Sequence, residues 1–305
     1  MLKGVVRGEK RPPRMVIYGP PKVGKTTLAS DAPSPIFVCT EDGADGIAVD
    51  QYPRATTWAE LLANVHAVAG EKHEYQTLVV DTMNGAAELC EQHICLTQFK
   101  GDWGPTGFAN YGKGPASVSE EIRVLLAELD KCRVRGMTIL LTAHVGILSI
   151  QNPLGNDYSK FAPDLDKKVW ARVSAWADII GRAEYETSLL AKDPTRKAKA
   201  VSDTTVRVLR FDGNTANDGG CRVGYELPAE LPLSWAAIAE HLGKKSDTTE
   251  QIVALWNLYS PEEKAKALAY LGIKALTDIE QAQVQRAKTV LNKLIARQNA
   301  AQEMK

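Results

Sequence analysis

Three short stretches of the chain are apolar without a break, Met15 to Tyr18, Ile36 to Cys39 and Leu78 to Val80, and a fourth, Met137 to Thr142, is apolar but for its two threonines. Unbroken runs of this length, with no polar alternation, are the pattern of strands buried on both faces of a parallel sheet. The segments between them carry apolar residues three and four apart. Trp58 to Ala69 places Leu61, Leu62, Val65 and Val68 on one helical face, and Val118 to Cys132 does the same with Ile122, Leu125, Leu126 and Leu129. Asn84 to Leu96 and Val169 to Ala177 also read as helices, Thr26 to Ser30 as a short one. Asp178 to Leu190 and Thr204 to Phe211 read as further strands. Strand, helix and buried strand in alternation predict an α/β fold, with a mostly parallel central sheet flanked by helices.

Three stretches break the pattern. Residues 97–117 hold five glycines and two prolines and read as a long loop, as does Gly146 to Asp166. Loops of that length are uncommon in compact domains unless they serve a purpose. Lys192 to Lys199 reads as a basic turn. A boundary is expected near Gly243-Lys244-Lys245-Ser246. Beyond it the signals are helical: capping boxes at Ser260-Pro261-Glu262-Glu263 and Thr277-Asp278-Ile279-Glu280, and an apolar set through Ile252, Leu255, Trp256 and Tyr259. The expected organisation is a basic arm over 1–14, a core over 15–243 and a small helical C-terminal domain over 246–305.

Charge narrows the picture. Among 305 residues, Lys+Arg and Asp+Glu both number 37, so no global basic field advertises nucleic acid and any such site must be a local patch. The five cysteines are scattered, with no C-x-x-C pair, as expected of reduced thiols in a cytoplasmic protein. The first residues lack the apolar core of a signal peptide, and no apolar run approaches membrane-spanning length, so no membrane partner is expected.

The strongest chemical signal follows the first strand. Gly19-Pro20-Pro21-Lys22-Val23-Gly24-Lys25-Thr26 fits the phosphate-binding P-loop pattern G-x-x-x-x-G-K-[ST] at every fixed position, between a strand and a helix. Glycines at 19 and 24 let consecutive backbone N–H groups converge on phosphate oxygens, at a helix N-terminus that favours negative charge. Lys25 reaches the β- and γ-phosphates, and the Thr26 hydroxyl ligates Mg²⁺, so ATP and Mg are the expected cofactors. Thr27 completes the binding segment.

Asp81 ends the third apolar run, where a carboxylate holds Mg²⁺ through water. Its neighbour is Thr82, so the acid that activates the attacking water must come from elsewhere. Glu41, at the tip of the second strand, which this reading places beside the P-loop, is one candidate, and a solvated loop glutamate is the alternative. His144 follows the fourth strand; it either touches the γ-phosphate or is a satisfied, half-buried histidine. The extra strand carrying Glu41 between P-loop and Asp81 argues against a small-molecule kinase.

Several of these segments resemble a known family. Phe37-Val38-Cys39-Thr40-Glu41-Asp42-Gly43 resembles the strand-plus-glutamate segment of the RecA-type recombinase ATPases. Thr77-Leu78-Val79-Val80-Asp81-Thr82 resembles their Walker B segment, and Thr142-Ala143-His144-Val145 sits where they carry a sensor glutamine. With Trp176-Ala177-Asp178, the chain is most similar to the phage-encoded RecA-like ATPases of the single-strand-annealing recombinase group, whose ATP-binding domain is of AAA type. The resemblance spans residues 14 to about 212. It implies Glu41 as catalytic base and His144 as sensor, completing a catalytic set with Lys25 and Asp81 of the motifs above, and the two long loops as candidate DNA contacts. The chain departs from the family in lacking the Phe-x-x-Ala tetrapeptide by which RecA-like protomers join.

The first long loop adds Phe99, Lys100, Trp103, Phe108, Tyr111 and Lys113, aromatics interleaved with lysines as single-strand binding requires. In the second, Tyr158, Lys160, Phe161, Lys167 and Lys168 are nearly offset by Asp157, Asp164 and Asp166. Lys192, Arg196, Lys197 and Lys199 form the densest basic cluster. Lys167, Lys168, Arg182 and Arg222 are candidates to act across a subunit interface. The expectation is a Mg-dependent, DNA-stimulated ATPase of DNA recombination that binds or anneals single-stranded DNA as a homo-oligomer. A helicase-like motor and a nucleotide-gated protein-interaction module are the alternatives.

Overall fold

The computed structural model describes residues 11–242 except Asp45, Leu154 and residues 191–198, and beyond them only Trp256, Lys264 and Leu268. The chain divides into two compact units, Met1–Gly243 and Lys244–Lys305. The expected C-terminal helices, most of the N-terminal arm and most of the basic cluster at 192–199 lie outside the described residues.

In chain order the first unit contains β1 (Arg14–Gly19), α1 (Lys25–Ser30), β2 (Pro35–Cys39), β3 (Asp50–Tyr52), α2 (Trp58–Gly70), β4 (Thr77–Asp81), α3 (Met83–Phe99) and α4 (Lys113–Val134). There follow β5 (Thr138–Ile150), β6 (Tyr158–Pro163), α5 (Lys167–Trp176), β7 (Ile179–Leu190), β8 (Lys199–Arg210), β9 (Gly220–Cys221), β10 (Glu230–Pro232) and α6 (Trp235–Leu242). The sheet runs β10-β8-β7-β1-β5-β4-β2-β3. It is parallel from β7 through β3 and turns antiparallel at β8 and β10, while β6 pairs antiparallel with β5.

Alternation within each buried strand feeds a core on each face. Along β1, Val16 and Tyr18 join the cluster under α2, α3, α4 and α5, whereas Met15 and Ile17 join the one under α1 and α6. Fully buried strands of this kind need helices on both sides, and the chain supplies them. Local chemistry fixes where α2 begins: Thr57 Oγ1 accepts from Glu60 N at 3.2 Å, and the Glu60 carboxylate accepts from Thr56 N at 2.8 Å.

The β1 and β7 strands are tied at their starting ends by an ion-pair hub. Asp178, just before β7, accepts from Arg14 Nη2, Arg133 Nη2 and Arg222 Nη1, each at 2.9 Å. Burial works to raise the Asp178 pKa, but hydrogen bonds and charge from Arg14, with Arg133 behind it, hold the carboxyl below its ordinary range.

Three expectations are corrected. The stretch from Gly146 to Asp166 is a β-hairpin: β5 continues to Ile150 and pairs with β6 in a register that sets Ile147 opposite Phe161. The loop expected over 97–117 shrinks to residues 100–112, because α3 runs on to Phe99 and α4 already starts at Lys113. Pro115 sits in the first turn of α4, where a missing N–H costs nothing. Finally, β2 is not a neighbour of β1: β5 and β4 separate them, and the strand inserted between the P-loop strand and the Asp81 strand is β5.

Candidate functional site

The P-loop links the end of β1 to α1. Gly24 has φ 109°, a left-handed conformation that glycine adopts without strain, and Lys22 is also left-handed at φ 65°. Gly19 is required for a different reason. A side chain there would place its Cβ 2.3 Å from the Ala183 carbonyl oxygen of β7.

Lys25 is buried, and its ammonium donates to the Gly19 carbonyl at 2.9 Å and the Pro20 carbonyl at 3.0 Å. Burial lowers its pKa, while the negative charges of Asp81 and Glu41 work to raise it. A cation held inside the loop, with two carboxylates within electrostatic range, is suited to receive phosphate charge. Among the other residues of the motif, Pro21, Lys22 and Thr27 are exposed and Val23 is buried in the core.

Asp81 stands at the end of β4. Thr26 Oγ1 donates to Asp81 Oδ2 at 2.8 Å, and Thr142 Oγ1 on β5 donates to Asp81 Oδ1. The hydroxyl and carboxylate expected to serve Mg²⁺ are therefore in contact. A Cβ added at Gly43 would lie 3.8 Å from each of those two oxygens. The donor set, one hydroxyl and one carboxylate oxygen beside open backbone, fits a hard cation that keeps most of its waters.

Glu41 reaches this centre although its strand is far from β1. Thr82 Oγ1 donates to Glu41 Oε1 at 2.5 Å, and His144 Nε2 lies 3.1 Å from Glu41 Oε2. Thr82 is itself pinned: its N–H donates to Thr40 Oγ1 at 3.0 Å, and Thr40 Oγ1 donates back to the Thr82 carbonyl at 2.9 Å. The peptide bond between Asp81 and Thr82 is cis. A cleft of about 300 Å³ lined by Glu41, Asp42, Tyr52 and Arg54 opens beside the carboxylate and gives it access to water. Asp81 and Glu41 thus have separate partners and can hold separate roles.

His144 also anchors the hairpin. Its N–H donates to Asn84 Oδ1 at 2.7 Å, its carbonyl accepts from Asp164 N at 2.9 Å, and Asn84 Nδ2 donates to the Asp164 carbonyl at 2.6 Å. Sequence reasoning missed Thr40, Asn84 and Thr142 as site residues. Each is an ordinary short polar residue whose importance comes only from what folding brings beside it.

The remaining candidates are distributed as follows. Phe108 is buried and packs against Phe99 and Trp103, with ring centroids 5.7 and 4.8 Å apart. Trp103 is 50% exposed and Tyr111 is 100% exposed. Lys100 and Lys113 are exposed at the two ends of the loop. Lys167 and Lys168 are exposed at the start of α5, and Lys168 Nζ donates to the Gly112 carbonyl at 3.2 Å, so the two sequence-predicted surfaces touch. Arg182 lies 4.5 Å over the Phe161 ring and pairs with Glu184, and Arg222 belongs to the Asp178 hub at the opposite end of the sheet from the P-loop.

A P-loop at the end of a central parallel strand, with a carboxylate at the tip of another strand bonded to its Thr26, defines a P-loop nucleotide-binding protein. The chain belongs to the AAA domain family, whose model matches residues 11–223. This membership points to nucleotide-binding ATPase activity with ATP as the ligand. The chain is also similar to an uncharacterized SPbeta prophage-derived protein, YorG, of Bacillus subtilis (strain 168). The two are 27% identical over 177 residues, which is 54% of this chain and 49% of that protein. The chain thus spans about half the length of this curated relative. Among the described residues, no helix is long and apolar enough to cross a membrane.

Proposed function

We propose that the protein is an Mg-dependent, RecA-like ATPase of DNA recombination that binds or anneals single-stranded DNA. The observation that carries the hydrolytic part is the separation of the two carboxylates. Asp81 bonds Thr26 and serves the metal, while Glu41, tethered by Thr82 and His144, is left to orient and deprotonate a water. Bound Mg²⁺ supplies charge neutralisation at the phosphates, and Lys25 stabilises negative charge developing on the transferred group.

Two features support the DNA part. The strand that carries His144 continues without interruption into the β5–β6 hairpin, and Lys168 joins the base of that hairpin to the loop bearing Trp103 and Tyr111. A change at His144 therefore has a short route to an exposed, aromatic and basic surface. The prophage origin of the relative favours a phage-associated role. Lys167 and Lys168, exposed at the rim, are the better placed of the four cations proposed to reach a neighbouring copy in a homo-oligomer.

A nucleotide-gated interaction module is the second reading. It is favoured by Ile147 and Phe161, cross-strand partners on the hairpin that are 73% and 42% exposed. ATP hydrolysis measured with and without single-stranded oligonucleotide, with Lys25→Ala as the inactive control, separates the two. Stimulation by DNA supports the first reading. Hydrolysis indifferent to DNA, with no oligonucleotide bound, supports the second, and strand unwinding would assign a helicase-like motor instead.

A further inference from the structure

Two residues with no part in the hydrolytic site lie against the back of the P-loop. Tyr185 on β7 and Arg207 on β8 are cross-strand partners. The Tyr185 hydroxyl donates to the Lys22 carbonyl at 3.1 Å, and Arg207 Nη1 donates to the Val23 carbonyl at 3.3 Å. One ladder pair thus grips two consecutive carbonyls of the loop. The β7–β8 register shifts immediately after Tyr185, an irregularity of the kind that re-aims a side chain.

The geometry has a direct consequence. In a planar trans peptide, the C=O of one residue and the N–H of the next point in opposite directions. Drawing the Lys22 and Val23 carbonyls toward β7–β8 turns the N–H groups of Val23 and Gly24 to the other side of the loop. That is the side on which this motif receives phosphate oxygens. The loop needs such support, because Lys22 is a non-glycine residue held at φ 65°. The fit is close: a Cβ at Gly24 would lie 2.8 Å from Arg207 Nη1.

We propose that Tyr185 and Arg207 form a brace that pre-shapes the P-loop for the nucleotide's phosphates. They are positioning residues, acting on the ligand through the backbone of residues 22–24. The inference rests on the P-loop's being a nucleotide site, and its test must tell the two apart.

The experiment uses the full chain and its Tyr185→Phe, Arg207→Met and Arg207→Lys variants. Affinity for a ribose-labelled fluorescent ATP analogue with Mg²⁺ is titrated, KM and kcat are measured, and melting temperature is taken without nucleotide. Tyr185→Phe and Arg207→Met should each weaken binding by about 5- to 10-fold, the scale of one broken hydrogen bond. KM should rise in parallel while kcat stays within about twofold, and Arg207→Lys should recover part of the loss. Variants that bind like the parent overturn the brace and leave the P-loop reading intact. A parent that binds no nucleotide overturns the reading itself. Losses in affinity that track lower melting temperature and lower kcat reduce the pair to ordinary structural contacts and also overturn the brace.

Discussion

His144 Nε2 lies 3.1 Å from Glu41 Oε2, joining the middle of β5, where its pairing with β1 ends, to the residues just beyond β2 across the intervening β4. The second Glu41 oxygen is taken by Thr82, so the carboxylate is fixed by two donors rather than left to swing in solvent. If Glu41 is the base proposed above, these two contacts fix the orientation of its oxygens.

Glu41→Gln keeps the shape of the side chain and removes its basicity. Turnover should fall by about 10²- to 10⁴-fold, the usual scale for a missing general base, while ATP and Mg²⁺ binding persist. Single-turnover hydrolysis and nucleotide titration check both parts. Asp81→Asn should behave differently, raising the Mg²⁺ concentration needed for half-maximal activity, because its oxygens meet Thr26 and Thr142 rather than Glu41.

His144→Ala removes one tether of Glu41 and the side chain at the base of the hairpin. Turnover should drop by about tenfold to a hundredfold, less than for Glu41→Gln, since a positioned base is worth more than its orienter. His144→Gln should recover much of the loss, because an amide can donate to Glu41. Equal losses for Ala and Gln, in steady-state ATPase assays, would show that the imidazole itself is needed.

The sequence was most legible where chemistry is local. The P-loop, Asp81 and the buried strands each announce themselves within a few residues, because strand burial and phosphate binding impose residue types at fixed spacing. What could not be read is what depends on distant neighbours. Ile147 to Ile150 and Tyr158 to Phe161 contain strand-forming residues, but the runs are short, and Gly146, Pro153 and Gly155 around them suggest a loop. Only their mutual pairing makes them a hairpin. The polar three-residue β3 and the two-residue β9 are too short to show a period. Thr40 and Thr142 stand in the segments that carry the family resemblance, yet nothing local assigns them a role; Asn84, Tyr185 and Arg207 have no local signature at all, because their roles come from contacts made between distant parts of the chain.

Asp178 offers a test of stability rather than activity. Its pKa is held down in the folded protein, so on acidification the unfolded chain takes up its proton first. The stabilisation is therefore fully present above the unfolded value of about 4 and disappears as pH falls through the lower folded value. Asp178→Asn should cost about 3–5 kcal/mol near neutral pH, because Arg133 is mostly buried and would lose its carboxylate partner, while Arg14, also mostly buried, would keep only the longer contact to Asp130. Denaturant melts over a pH series check both statements: the variant should be less stable at pH 7 and its acid limb shallower than the parent's.

The last prediction concerns the loop at 100–112, where burial sorts the aromatics. Phe108 is covered by Phe99 and Trp103, so Phe108→Ala should cost about 3–5 kcal/mol of stability and affect any ligand only through the fold. Tyr111 is fully exposed at φ 44°, an unfavourable conformation for a residue of its size, and Trp103 is half exposed. An exposed ring presented in this way has a free face for a base, and stacking on one base is worth about 1–3 kcal/mol. Tyr111→Ala should weaken single-stranded DNA binding by about tenfold to a hundredfold without lowering the melting temperature, and Trp103 fluorescence should fall when oligonucleotide is added. Lys100→Ala and Lys113→Ala should instead flatten the salt dependence of binding, by about 0.7 in log–log slope for each phosphate left without its lysine. Fluorescence titrations at several salt concentrations read all three effects. If Tyr111→Ala and Trp103→Ala both bind DNA like the parent but change the assembly state, the loop is a contact between copies, and the DNA surface must be sought on the β5–β6 hairpin.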